Sequence, residues 1–345
     1  MTPTPATDSA APSPEPVACR AARAGGSHRP GSAPVGALPR RVLLRRAGAL
    51  AAAVAATAAC GVRLGEGSPA SLPTVPAQEA VRDALARQTT LIGSTADVVA
   101  RSGGQQSAQA DAIAVASRTQ LEALGGVWDP WATPVPTTYE TVSPAPSAAA
   151  DADVDDLVSA LTDGLGQARA AAAACEDAAT ARLYAALAVA WSLQARTLNT
   201  DAVEVSGRDA SALAEALPGV LLAAYDAARY ALEEVAARSS DDARTRAEAD
   251  VAYTKAVISA SLALGGEDTR LAAYAAPTQA ADSATSLDVT WARQAWLRVE
   301  ETELAQVAPA GGEATEAAID AALYAAERAR AWGAAADDPL PGYSA

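Results

Sequence analysis

Leu221-Leu222-Ala223-Ala224-Tyr225-Asp226-Ala227-Ala228-Arg229-Tyr230 is the stretch on which the reading of this chain turns. Leu221, Ala224, Ala228, Leu232 and Val235 fall at helical spacing, so one stripe of a helix faces an interior. The same period recurs outward in both directions. Leu183, Leu187, Trp191 and Leu198 form one stripe, and Leu287, Trp291, Ala295 and Val299 step by four. The spacing predicts helices over 79–101, 106–124, 153–173, 176–199, 209–238, 241–264, 283–307 and 313–333. Ser239-Ser240 followed by Asp241-Asp242 is a helix-start signal, and Gly265-Gly266 stops the same helix. No stretch alternates with period two between turn residues, so the expected class is all-α.

Composition agrees. The chain has 345 residues, of which 96 are alanine, with no Phe, one Met and one His, His28. Alanine is the best helix former and adds little bulk, which favours closely packed helices. With no His after residue 28, His-dependent triads, zinc sites with His ligands and His-ligated haem are excluded from the body of the protein. There is no Gly-rich phosphate loop and no G-x-S-x-G, and the one lysine, Lys255, reads as a snorkelling surface side chain.

The N-terminal sixty residues read as an address. Residues 1–39 are rich in Pro, Ala, Ser and Gly and carry the composition of a disordered leader. Arg40-Arg41-Val42-Leu43-Leu44 then opens a basic region, followed by an apolar run from Ala47 to Ala59 and by Cys60. That run is too short for a permanent transmembrane helix, and the paired arginines fit a twin-arginine export signal. Thr57-Ala58-Ala59-Cys60 fits a relaxed lipobox in which Cys60 is acylated; a plain signal-anchor with an incidental Cys is the other reading. The expected location is therefore the outer face of the cytoplasmic membrane, held by lipid at Cys60, with residues 60–78 as a Pro/Gly-rich tether. Residues 1–60 carry 7 basic and 2 acidic side chains, and residues 61–345 carry 19 and 39. So acidic a body repels phosphate backbones, and nucleic acid is not an expected partner. Cys175, alone in an alanine-rich helix, gives no disulfide framework or metal cluster.

Two Pro- and Gly-bearing connections divide the helices. Residues 125–152, with Trp128 and Trp131, are expected to form a strap packed at its start, and 266–282 join helix pair 209–264 to pair 283–333. Two hairpins joined by a long crossover are the connectivity of ferritin-like four-helix bundles. We therefore expect a helical module over 79–204 and a ferritin-like bundle over 205–345. The six tryptophans read as core filling in a chain without Phe.

Several segments together resemble a ferritin-like lipoprotein family of high-GC Gram-positive bacteria. These are Cys60-Gly61-Val62-Arg63-Leu64 with its Pro-rich tether, the Leu221–Tyr230 helix, and Tyr274-Ala275-Ala276-Pro277 with the Trp-bearing helix after it. Leu340-Pro341-Gly342-Tyr343 completes the set. The resemblance implies a fold and a location more than a reaction. Many relatives carry Glu-His where this chain has Tyr225-Asp226, and often His where Ser117 precedes Arg118-Thr119-Gln120. A ferritin-like di-iron site needs Glu-x-x-His pairs that this chain lacks. An all-carboxylate remnant would draw on Asp226, Glu233, Glu234, Glu248, Glu300, Glu301 or Glu303, with Glu300 and Glu303 at i, i+3 spacing, and would suit Ca²⁺ or Mg²⁺ better than iron. Against that stands a wet helix face, on which Arg293, Arg298, Glu300, Glu301 and Glu303 are expected to lie. The functional expectation is a non-enzymatic envelope protein without cofactor, serving interaction or support. The alternatives are a carboxylate-based oxidase or metal store, and small-molecule binding between the helical modules.

Overall fold

The computed structural model describes residues 75–77, 79–129, 144–278 and 285–343. The export signal with Arg40 and Arg41, the acylation site Cys60, nearly all of the tether, and Trp131 in the strap lie outside the described residues. Those described form eight helices and no strand. They are α1 (Ala80–Arg101), α2 (Ser107–Ala123), α3 (Val154–Ala174), α4 (Ala178–Leu198), α5 (Gly219–Arg238), α6 (Asp241–Ala263), α7 (Leu287–Ala305) and α8 (Gly312–Ala331). None is long and apolar enough to cross a membrane.

Side-chain caps start several of these helices. Asp153 and Asp156 form a reciprocal capping box at α3, Asp177 accepts from the Thr180 amide at α4, and Ser286 accepts from Val289 at α7. The largest departure from the expected spans is at the start of α5. Residues 209–218 are not helical, and α5 begins only at Gly219, directly after Pro218. Proline disfavours helical geometry in the residue before it, so Leu217 leaves the helix and gives its amide to Ser261 Oγ instead, at 2.9 Å.

The helices pack as hairpins, α1 with α2, α3 with α4, α5 with α6 and α7 with α8. A long connection joins the first two hairpins and another joins the last two, and across them α1 packs on α3 and α5 on α7. Each connection is tied to a helix. Arg82 of α1 donates to the carbonyls of Leu124 and Gly126, Asp83 accepts from the Trp128 amide, and Ser94 accepts from the Ala148 amide. Both described ends of the 124–153 strap therefore run along α1. In the second connection, Thr269 donates to the Gly219 carbonyl and Tyr274 to Asp226, both on α5.

Two apolar cores result, and α8 belongs to both. Ala318, Ile319, Ala322, Leu323 and Ala326 pack into the core of α1–α4, whereas Ala325, Ala329 and Trp332 pack into that of α5–α7. Ion pairs fasten α8 at its edges, Arg169 with Asp320 and Arg196 with Glu327. α4 is the innermost element of the first core, buried without interruption from Tyr184 to Ala195. Trp191 lies against Gly164 of α3, where an added Cβ would come within 2.9 Å of the indole. The glycine costs helix propensity, and the close approach of the ring is what it allows.

Overpacking a helix with two buried faces is expected to cost more than enlarging its exposed end. Ala322→Leu should lower unfolding free energy by about 1–3 kcal/mol in urea titrations. Ala331→Leu, at the exposed last turn, should stay within about 0.5 kcal/mol of the parent.

Candidate functional site

The interior of the α5–α8 bundle holds buried charge. On α7, Trp296, Val299, Glu300 and Glu303 follow one another at helical spacing, and all four are buried. This corrects the expectation that Glu300 and Glu303 lie on a solvated face: they continue the apolar stripe of Trp296 and Val299. The signal was the i, i+3, i+4, i+7 spacing from Trp296.

Glu303 is fully enclosed and fully used. Arg208, from the 199–218 linker, grips it with two hydrogen bonds, Nε to Oε1 at 2.7 Å and Nη2 to Oε2 at 2.5 Å. Tyr225 of α5 donates its hydroxyl to Oε1 at 2.6 Å, and the backbone amide of Arg208 donates to the Tyr253 hydroxyl of α6 at 2.8 Å. Burial opposes the charge on Arg208, but hydrogen bonding to Glu303 and its charge outweigh that and raise the guanidinium pKa. Burial, with the Glu303 charge beside it, pushes the Tyr225 phenol well above its usual range and holds it as a donor.

A second carboxylate sits two turns along the bundle. Asp250 of α6 accepts from the indole N–H of Trp296 at 3.0 Å and of Trp332 at 2.9 Å, all on Oδ2. Its Oδ1 stands 2.5 Å from Arg328 of α8 as an ion pair without hydrogen-bond alignment. Burial raises the Asp250 pKa, against the indole donors and Arg328. Tyr253 bridges the two carboxylate sites, with its ring 4.4 Å from Tyr324, 6.0 Å from Trp296 and 6.4 Å from Tyr225 between centroids. These large side chains are how α6 meets α7 and α8.

The sequence-derived candidates Asp226, Glu300 and Glu303 are not brought together. Asp226 is buried on α5, taken up by Arg229 at 2.8 Å and by the Tyr274 hydroxyl at 2.9 Å. Among the described residues, no three His, Cys, Asp or Glu side chains are grouped to hold a metal ion. Of the other carboxylates, Glu233 pairs with Arg229 and Lys255, Glu234 with Arg238, Glu248 with Arg244 and Glu301 with Arg298. Cys175 is the C-cap of α3 and half-buried. Ser117 packs under Gly93 where α1 and α2 cross, and its hydroxyl returns to the Ile113 carbonyl. Sequence reasoning missed Arg208 and Asp250 as site residues; Arg208 lies 95 residues from its partner, and no local pattern marks it.

Glu300 differs from the rest. It is 2% exposed, and its Oε1 is buried with no hydrogen-bond partner. It lines a cavity of about 310 Å³ between α4, α7, α8 and the C-terminal segment 333–343. Burial pushes its carboxyl up to about 8, with the Asp338 charge adding to the rise and Arg330 opposing it. Arg330 itself donates to the Leu193 carbonyl and Thr197 Oγ1, with Glu327 3.5 Å away. The segment that roofs the cavity is held by Gln120, whose amide donates to the Pro339 carbonyl while its Oε1 accepts from the Trp191 indole. Gly342, at φ 66°, brings this segment against α7: a Cβ there would meet Leu304 at 2.8 Å.

The chain matches no protein-family model, and neither a curated protein nor a solved structure is significantly similar to it.

Two measurements test this account. Arg208→Ala or Glu303→Ala alone should cost about 3–5 kcal/mol in urea denaturation, because each leaves a buried charge uncompensated. Arg208→Met with Glu303→Met should cost less than the sum of the two single changes. Glu300 titrates higher in the folded chain than in the unfolded one. Its contribution is intact below the unfolded value near 4.5 and is lost as pH rises toward about 8. Glu300→Gln should therefore stabilise by on the order of 1–3 kcal/mol at pH 7 and by nothing at pH 4.

Proposed function

We propose that this is an exported, lipid-anchored helical-bundle protein of the cell envelope whose ferritin-like bundle serves interaction or structural support without catalysis. One observation carries the non-catalytic part of this reading. Two of the enclosed carboxylates of the α5–α8 bundle, Glu303 and Asp250, each have a resident arginine and an aromatic donor from the same chain. In a metal-dependent bundle such carboxylates would be left for the ion; here Arg208 and Arg328 supply the positive charge. The ferritin-like reading is supported by the two hairpins and their long connection beside α5. The anchor at Cys60, the export signal at Arg40-Arg41 and the location outside the cytoplasmic membrane rest on the sequence pattern. The membrane is reached through the acyl chain, and nucleic acid is disfavoured by the acidic body. A carboxylate-based oxidase or metal store would require Asp226, Glu300 and Glu303 to converge, whereas Asp226 is held by Arg229 and Tyr274 and Glu303 by Arg208 and Tyr225.

A second reading has its own support. The Glu300 cavity lies between α4 of the first helical module and α7 and α8 of the bundle, and it fits small-molecule binding at that junction.

The experiment is metal-dependent melting of untagged protein together with fractionation of cells carrying the native chain. Iron, manganese, zinc and calcium should each leave the melting temperature unchanged. Cys60→Ser should move the protein out of the membrane fraction. A shift of several degrees with one metal, lost in Glu303→Gln, would overturn the non-catalytic reading, and a membrane fraction indifferent to Cys60→Ser would overturn the lipid anchor.

A further inference from the structure

A buried carboxyl with an unpartnered oxygen is costly, because burial removes its water and nothing replaces it. Among the described residues, the other enclosed carboxylates of the α5–α8 bundle are each paired with an arginine, whereas Glu300 lines a cavity with one oxygen unpartnered. We propose that the cavity binds a small organic cation, an ammonium carried on an apolar body, with the Glu300 carboxyl as its anchor. This rests on the reading of the cavity as a binding site and adds the chemical class of ligand.

Charge bookkeeping around the cavity favours a cation. Four charged side chains line it: Glu300 and Glu301 of α7, Arg330 of α8 and Asp338 of the C-terminal segment. Glu301 is paired with Arg298 at 2.7 Å. Arg330 has Glu327 beside it and spends its other donors on Leu193 and Thr197, and Glu327 in turn is held by Arg196 of α4. Among the described residues neither Glu300 nor Asp338 has an ion-pair partner, and the one cation of the lining, Arg330, is already engaged, so the cavity lacks a free positive charge. The ion is not a metal: no grouping of three ligands exists among the described residues. The remaining walls, including Leu193, Leu297, Ala326, Pro341 and Tyr343, are carbon-rich and suit an apolar body. On binding, the ammonium donates to the Glu300 carboxylate and Glu300 surrenders its proton to solvent. A charge-assisted hydrogen bond then takes the place of the orphaned oxygen.

The test is calorimetric titration of the full chain at pH 7 with benzylamine. Benzyl alcohol serves as its uncharged counterpart and benzoate as the anion, in phosphate and in Tris buffer. Benzylamine should bind about tenfold or more tightly than benzyl alcohol, and benzoate should not bind. The difference in heat between buffers should report release of most of a proton per site, since a group titrating near 8 is still largely protonated at pH 7. Glu300→Gln, checked for native helicity by circular dichroism, should abolish the preference and the proton release. Ala335→Leu, at an exposed position on the cavity wall, should weaken benzylamine binding without loss of fold. If benzyl alcohol binds as tightly as benzylamine and Ala335→Leu weakens both, the cavity binds small molecules but the cationic class is wrong. If no probe binds, the binding reading falls with it. Benzylamine binding that survives Glu300→Gln with its proton release intact would place the cation elsewhere and overturn the proposal.

Discussion

The fold depends on an alanine-rich helix, α8, that buries two adjoining faces. α8 presents Ala318, Ile319, Ala322, Leu323 and Ala326 to one core and Ala325, Ala329 and Trp332 to the other. A helix placed in this way can carry few large side chains, since bulk on either face would separate it from one set of neighbours. Alanine meets that constraint and favours the helix as well. The cost is volume, because alanine fills little space. Tryptophan and tyrosine from the surrounding helices fill the difference, and their N–H and O–H groups then need partners inside the core.

That need explains the buried polar groups. The Trp296 and Trp332 indoles find Asp250, the Tyr225 phenol finds Glu303, and the Trp191 indole finds Gln120. Each carboxylate brought in for an aromatic donor carries a charge that must be neutralised, and Arg328 and Arg208 do so. Arg208 comes from the linker between the two helical modules, so its pairing with Glu303 also fixes where α5 begins relative to α7. A buried ion pair of this kind adds little stability compared with apolar packing. Its geometric demand is what joins linker, α5, α6 and α7 at one point.

Most of the helices were legible because period and caps agree locally. Asp153, Asp177 and Ser286 mark their starts, and the apolar stripe from Leu221 to Val235 is buried throughout. Residues 209–218 misled because their composition is helical, whereas Pro218 at the far end dictates the break. Glu300 and Glu303 misled in a different way. Charge suggested solvent, although their spacing from Trp296 and Val299 placed them inside; the pattern was present, but residue type was given more weight than position. The partners Arg208 and Glu303, and Asp250 with its two tryptophans, were not legible at all. They meet through tertiary packing across 46 to 95 residues, and nothing local encodes them.

The same logic sets Glu300 apart from its neighbours on α7. Seven residues of helix carry Trp296 toward Asp250 and Glu303 toward Arg208, both inside the α5–α8 core. Glu300, between them, is turned toward α4 and the C-terminal segment, where the two cores come together around α8. No aromatic donor reaches it there, and the nearest arginine is already engaged with α4 and Glu327. The segment that covers it is itself held by the first module, through Gln120 and Pro339, and is brought close by Gly342. Glu300 therefore lies where side chains of both cores meet the C-terminal segment. An ammonium bound as proposed would touch α4, α7, α8 and the C-terminal segment together.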